Sequence, residues 1–72
     1  MKEETPVAVL WELDWDDTRL SCAVYRQQDG FQLRVTLPDA VVVSEQFQLE
    51  PRALARARAL RDELARRGWR KP

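Results

Sequence analysis

The chain has 72 residues, so it forms one domain at most, and a domain this small buries only about 60% of its unfolded surface. Its single cysteine excludes a disulfide within the chain, and the lack of histidine argues against a tight transition-metal site. No apolar run approaches the roughly 20 residues of a membrane span, and residues 1–6 lack the apolar core of a secretion signal. We therefore expect a cytoplasmic protein whose small core favours oligomerisation.

The formal net charge is zero, but the charges are segregated along the chain. Residues 1–50 carry four basic and ten acidic side chains, whereas residues 51–72 carry eight basic and two acidic ones. This pattern favours internal pairing and a solvated helix face. The alternative is a basic surface offered to a partner.

Strict alternation of apolar and polar residues from Val7 predicts a half-buried first strand. One face is expected to carry Val7, Val9, Trp11, Leu13 and Trp15, and the other Ala8, Leu10, Glu12 and Asp14. A turn at Asp16 and Asp17 leads to a second strand with Leu20, Cys22 and Val24 on the same apolar face.

The dipeptide Asp29-Gly30 is typical of a two-residue type I′ hairpin, and it precedes a third alternating strand with Phe31, Leu33, Val35 and Leu37 on one face. The two turns together predict one shared apolar face. The expected pairs are Leu13 with Leu20, Trp11 with Cys22, Val9 with Val24, Val24 with Val35, and Cys22 with Leu37.

Residues 40–49 predict a fourth, less regular strand after the break at Pro38 and Asp39, with either a three- to five-residue connection or a bulge near Ser44 and Glu45. Its pairing stays open between the third strand and a curl toward the first. A helix of roughly 17 residues should begin at Glu50 and Pro51 and end at Gly68, with Trp69 folding back on Leu64.

These elements predict an α+β fold, a three- to four-stranded antiparallel β-meander with one C-terminal helix packed on one sheet face. The expected domain covers residues 7–69, between a flexible N-terminus, residues 1–6, and a flexible basic C-terminus, residues 70–72. In arrangement alone, residues 7–66 resemble integrase arm-binding and AP2-type DNA-binding domains. That resemblance implies docking on DNA through a basic sheet.

The sequence offers no catalytic constellation, and we expect no enzyme activity, no cofactor and no metal. Cys22 is expected on a buried face, and the serines have no histidine to activate them. Glu12, Asp14 and Asp16 together could hold a divalent cation weakly. A solvated turn with Asp14 opposite Arg19 is the simpler interpretation.

Two surfaces are candidates for binding. The first is the outer sheet face, where Leu10 is expected beside Ala23 and Ala8 opposite Tyr25. It predicts a partner protein or a second copy bound through Leu10, Ala23, Tyr25, Arg34 and Thr36. The second is the arginine-rich C-terminal helix together with the basic residues that follow it. A nucleic-acid-binding module would use Arg52, Arg56, Arg61, Arg66, Arg70 and Lys71.

Overall fold

A computed structural model describes residues 5–72 as one antiparallel sheet and one helix. The elements are β1 (Ala8–Trp15), β2 (Thr18–Gln27), β3 (Gly30–Leu37), β4 (Ala40–Phe47) and α1 (Glu50–Arg66). The strand order is β1-β2-β3-β4, and α1 packs on one sheet face, so the predicted ββββα meander is confirmed. The fourth strand extends the meander at β3 instead of curling toward β1.

The turn between β1 and β2 is a tight two-residue turn, as predicted. Asp16 and Asp17 have φ of 48° and 64°, and a type I′ turn requires positive φ at both central residues. The turn fixes the pairs Leu13 with Leu20 and Trp11 with Cys22 that the sequence predicted. Both pairs lie on the face that α1 covers.

A β-bulge interrupts β1 at Leu10. Val9 pairs with Ala23 and Ala8 with Val24, and the register shifts before Trp11. The predicted pairs Val9 with Val24, Leu10 with Ala23 and Ala8 with Tyr25 are therefore wrong. The reason is physical, because an extra residue in one strand reverses the faces of every residue beyond it.

The turn between β2 and β3 lies one residue earlier than predicted. Gln28 and Asp29 form it, and Gly30, with φ of +145°, is already the first residue of β3. Val24 consequently pairs with Leu33, and Cys22 pairs with Val35, so both predicted partners are off by two positions. A two-residue shift preserves the faces, and for this reason the predicted apolar face is still correct.

A tight turn at Pro38 and Asp39 joins β3 to β4, and a bulge follows at Val42. Thr36 pairs with Val41, and beyond the bulge Val35 pairs with Val43. The sequence predicted a longer connection or a bulge near Ser44 and Glu45. The bulge exists, but it lies two positions earlier, where it returns Val43 to the face that packs on the core.

The core lies between the sheet and α1. Its buried side chains come from both layers and are Leu13, Leu20, Cys22, Val24, Leu33, Val35, Ala53 and Ala57. Small alanines face the sheet, so the backbone of α1 approaches it closely. The Nε1–H of Trp11 donates a 2.9 Å hydrogen bond to the carbonyl of Ala57.

The helix ends in the left-handed glycine cap that the sequence predicted. Gly68 has φ of +111°, the amide of Trp69 donates to the carbonyl of Leu64, and the amide of Gly68 donates to the carbonyl of Ala65. These two bonds define a Schellman motif. The cap turns Trp69 onto the core, and the centres of the Trp69 and Trp15 rings are 5.7 Å apart.

The segment after the cap returns to the edge of the sheet. Arg70 and Asp14 exchange two backbone hydrogen bonds of 2.7 and 2.9 Å and form an isolated antiparallel bridge. Arg70, which the sequence analysis placed in a flexible C-terminus at residues 70–72, is thus hydrogen-bonded to β1. Most of the predicted flexible N-terminus, residues 1–6, lies outside the described residues. Among residues 5–72, no helix has the length and apolarity needed to cross a bilayer.

Candidate interaction surface

The sheet face opposite α1 is the candidate surface, and we call it the open face. Register defines its residues, because side chains paired across antiparallel strands point to the same side. One row runs Val9, Ala23, Arg34, Ser44, and the next runs Glu12, Ser21, Thr36, Val41. Tyr25, Gln32 and Gln46 form a third row. Four of the five residues predicted for this surface are present, namely Ala23, Tyr25, Arg34 and Thr36.

Leu10 is the predicted residue that the open face lacks. It is half-buried and packs against the core cluster, beside Trp11 and Arg61. Because of the bulge, Val9 and not Leu10 lies opposite Ala23. The predicted position of Leu10 on the outer sheet face, beside Ala23, is therefore wrong, and Val9 occupies that position instead.

A polar chain of contacts crosses the middle of the open face. The guanidinium of Arg34 lies 4.2 Å from the centre of the Tyr25 ring, and its Nε donates to Oε1 of Gln32 at 2.7 Å. The Nε2 of Gln32 in turn donates to Oγ of Ser44 at 2.8 Å. These contacts hold long side chains against the sheet, which lowers the entropy lost when a partner covers them.

Two exposed valines flank this polar centre. Val9 on β1 is 58% exposed and Val41 on β4 is 57% exposed, while Ala23 between them is only 8% exposed. Each valine exposes apolar surface to water, and a partner that covers this surface would gain free energy in proportion to the area buried. The sequence predicted neither valine as a surface residue, because both fall next to bulges that strict alternation does not reveal.

The acidic residues of the open face are already engaged. Asp14 accepts two hydrogen bonds from Arg19, at 2.7 and 3.0 Å, and this pairing lowers the pKa of the Asp14 carboxyl. Ser21 Oγ donates to Glu12 at 3.3 Å. Within residues 5–72 no three acidic or cysteine side chains cluster as metal ligands, so Glu12, Asp14 and Asp16 do not form the hypothesised cation site. The predicted pairing of Asp14 with Arg19 is confirmed.

The arginines of the alternative surface fall into two groups. Arg56 pairs with Glu45 of β4 at 3.0 Å, and Arg61 lies 3.5 Å from Asp62. Within residues 5–72 no ion pair forms at Arg52, Arg58, Arg66, Arg70 or Lys71. Glu45 explains the gap in the apolar pattern of β4, since it points to the helix side and meets Arg56.

The predicted nucleic-acid-binding residues do not share one face. At about 100° per residue, Arg52 and Arg61 lie about 180° apart around α1, and Arg66 lies about 40° from Arg52. Arg61 and Lys71 line a groove beside Leu10 and Glu12 at the edge of β1. Arg70 faces the other side of that edge, near Trp15 and Asp16. The cations therefore divide between the back of the helix and the β1 edge.

Cys22 has the character of a core residue. Its side chain is fully buried, and burial raises the pKa of the thiol to about 12. A thiol with so high a pKa is almost entirely protonated at neutral pH, and only the thiolate is a nucleophile.

Comparison with known protein families, with curated proteins and with solved structures found no match to this chain.

Proposed function

We propose that this chain is a small protein-interaction domain that self-associates through the open face of its sheet. The observation that carries the proposal is the pair Val9 and Val41, each more than half exposed on one sheet face. The helix packs on the opposite face, so within residues 5–72 no helix or strand covers these valines. Each valine leaves apolar area in water that a second copy packed on this face would remove.

The size of the open face supports a weak dimer. Four strands, three of eight residues and one of ten, span about 19 Å across the sheet and about 26 Å along it, or about 500 Å² per copy. Two copies would then bury about 1,000 Å², the lower limit for a specific interface. The association should therefore be concentration-dependent, with a dissociation constant in the micromolar range or weaker.

The charges of the open face permit contact between identical copies. Asp14 and Arg19 neutralise each other within one chain. Glu12 and Arg34 also lie on this face and have opposite signs, so contact between two copies does not bring together charges of one sign only. The charge pattern of the open face therefore sets no electrostatic barrier to contact between two copies.

The test is sedimentation velocity of Val9→Lys, with Val9→Thr as the matched control. Lysine at a 58% exposed site should leave the fold intact, and circular dichroism checks this. We expect the parent chain and Val9→Thr to associate between about 1 and 200 µM, and Val9→Lys to associate at least tenfold more weakly. An unchanged constant for Val9→Lys, or a parent chain that stays monomeric, would refute the proposal.

The alternative function is nucleic-acid binding through the unpaired cations of α1 and the C-terminal segment. It is less well supported because Arg52 and Arg61 lie on opposite sides of the helix and Arg56 is held by Glu45. A titration with random single- and double-stranded DNA, followed by tryptophan emission, separates the two proposals. Micromolar binding that weakens steeply with salt would favour the alternative. We expect no binding at about 150 mM salt.

We also propose that the domain is not a catalyst and that it works in a reducing compartment such as the cytoplasm. The first statement is supported by Cys22, which is buried and protonated and so is not activated as a nucleophile. The second is supported by the single cysteine of the chain, which forms no disulfide within it.

A further inference from the structure

The two edge strands of the sheet differ in whether the backbone on their outer side is hydrogen-bonded. At β1, the backbone of Arg70 pairs with Asp14, and Trp69 packs next to Trp15. The C-terminal segment thereby occupies part of that edge. At β4, within residues 5–72, no backbone pairs with the outer side of the strand. An unpaired edge presents amide and carbonyl groups that another strand can bind.

The exposed edge of β4 is unusually apolar. Residues 40–44 carry no charge, and Val41 and Val42 are 57% and 50% exposed. Edge strands of monomeric proteins are usually protected by charged side chains or by bulges, and β4 has the bulge at Val42 but no charge in residues 40–44. The only charged side chain of β4 is Glu45, and it is turned to the helix side and held by Arg56.

An apolar groove lies beside this edge, on the helix side of the sheet. A single helix about 10 Å across cannot cover a sheet about 19 Å wide. The strip left beside β4 is lined by Leu20, Val35, Val42, Val43, Leu60 and Leu64. The ion pair of Glu63 and Arg67, at 3.1 Å, lies at its rim.

We infer that the β4 edge pairs with the β4 edge of a second copy. Antiparallel pairing about a two-fold axis perpendicular to the sheet joins two four-stranded sheets into one of eight strands. The uncharged residues 40–44 then face their own counterparts without like-charge contacts. Valine is favoured in such cross-strand pairs, and Val42 of each copy becomes covered at the two-fold axis.

This edge pairing has a consequence that rests on the proposed function. Both open faces of the edge dimer point to the same side, which doubles the continuous face to about 1,000 Å². Two such dimers packed through their open faces would bury about 2,000 Å², well within the range of specific interfaces. The two isologous contacts use perpendicular axes, so the assembly closes as a tetramer with D2 symmetry.

The experiment is sedimentation equilibrium between about 1 and 200 µM on the parent chain and on variants of the two surfaces. Val42→Lys places a charge on the edge, and Val42→Thr keeps the branched shape without the charge. Val9→Lys alters the open face alone. We expect dimers and tetramers for the parent chain and for Val42→Thr, dimers only for Val9→Lys, and an edge contact at least tenfold weaker for Val42→Lys.

Hydrogen exchange of the parent chain supplies a second measurement that needs no variant. Amides of residues 40–44 should exchange more slowly at about 200 µM than at about 1 µM. If Val42→Lys assembles like the parent chain, or those amides gain no protection, the edge inference is overturned while the open-face proposal stands. If Val9→Lys assembles like the parent chain and Val42→Lys does not, the open-face proposal is overturned and the edge inference stands. A strictly monomeric parent chain overturns both.

Discussion

Trp11 on β1 donates its indole N–H to the carbonyl oxygen of Ala57 in the middle of α1, at 2.9 Å. This bond links the first strand to the helix across 46 residues of sequence. A carbonyl inside a helix has a second lone pair, so it can accept the indole proton and keep its helical bond. The contact fixes the position at which α1 crosses the sheet.

Replacing Trp11 by phenylalanine removes this hydrogen bond and some packing while keeping an aromatic ring. We expect the free energy of unfolding to fall by about 1–2 kcal/mol, the sum of one net hydrogen bond and the lost apolar volume. Urea unfolding followed by circular dichroism measures the change. Trp15→Phe is the control, because Trp15 is 58% exposed and should cost less than about 0.5 kcal/mol. Equal losses at both sites would contradict this role for Trp11.

Substitutions in the hairpin turn at Asp16 and Asp17 should make the fold more stable. Both residues have positive φ, which aspartate adopts at a cost and which Asn-Gly adopts readily. We expect Asp16→Asn combined with Asp17→Gly to stabilise the fold by about 1 kcal/mol and to raise Tm by about 4–8 °C. The measurement is thermal unfolding by circular dichroism.

The matched control places the same Asn-Gly pair at Gln28 and Asp29. Neither residue has positive φ, so no gain is expected there. A gain in stability from Asn-Gly at Gln28 and Asp29, with none at Asp16 and Asp17, would contradict the backbone conformations described for the two turns.

These two hairpins show what the sequence could and could not predict. The alternation of apolar residues gave the strands, their shared face and the helix, because side-chain faces depend only on parity. The turn at Asp29-Gly30 was misplaced by one residue because the glycine at position 30 is required by its close packing against β4, and not by the turn. A Cβ at this position would collide with the backbone of Phe47, which is far away in sequence, and no local turn preference contains that restriction.

The two glycines of the chain should therefore respond differently to alanine. At Gly30 an added Cβ would lie only 2.3 Å from the carbonyl oxygen of Phe47, and φ is already +145°. At Gly68 the added Cβ meets nothing within 4 Å, and only the φ of +111° is unfavourable. We expect Gly68→Ala to cost about 1 kcal/mol and Gly30→Ala about 3 kcal/mol or more, measured by urea unfolding. A larger loss at Gly68 would refute the close contact at Gly30.

The candidate surface was predictable only in part. Ala23, Tyr25, Arg34 and Thr36 were placed correctly because they lie in the regular middle strands. Leu10 was misplaced and Val9 was missed because a bulge reverses parity without leaving a clear mark in the sequence. The bulge at Val42 likewise reverses the faces of the residues on its two sides. Here the run Val41-Val42-Val43 does indicate a departure from alternation on β4.

Cys22 gives a prediction about pH. Burial raises its pKa from 9.0 to about 12, so the folded chain keeps the thiol proton at a pH where the unfolded chain releases it. A folded pKa above the unfolded one means that this contribution to stability is complete below about pH 9 and declines as pH rises toward 12. Relative to Cys22→Ala, the parent chain should lose about 1 kcal/mol between pH 8 and pH 10.

The comparison with Cys22→Ala cancels every pH-dependent contribution that the two chains share. Urea unfolding of both chains at pH 8, 9 and 10 measures the difference. Alkylation provides a separate check, because at pH 8 a thiol of pKa 12 is only about 0.01% thiolate. Iodoacetamide should therefore modify Cys22 only as fast as the chain opens, and urea should accelerate the reaction. Rapid modification of the native chain would show that Cys22 is accessible, and the packing between β2 and α1 would then be looser than the structure has it.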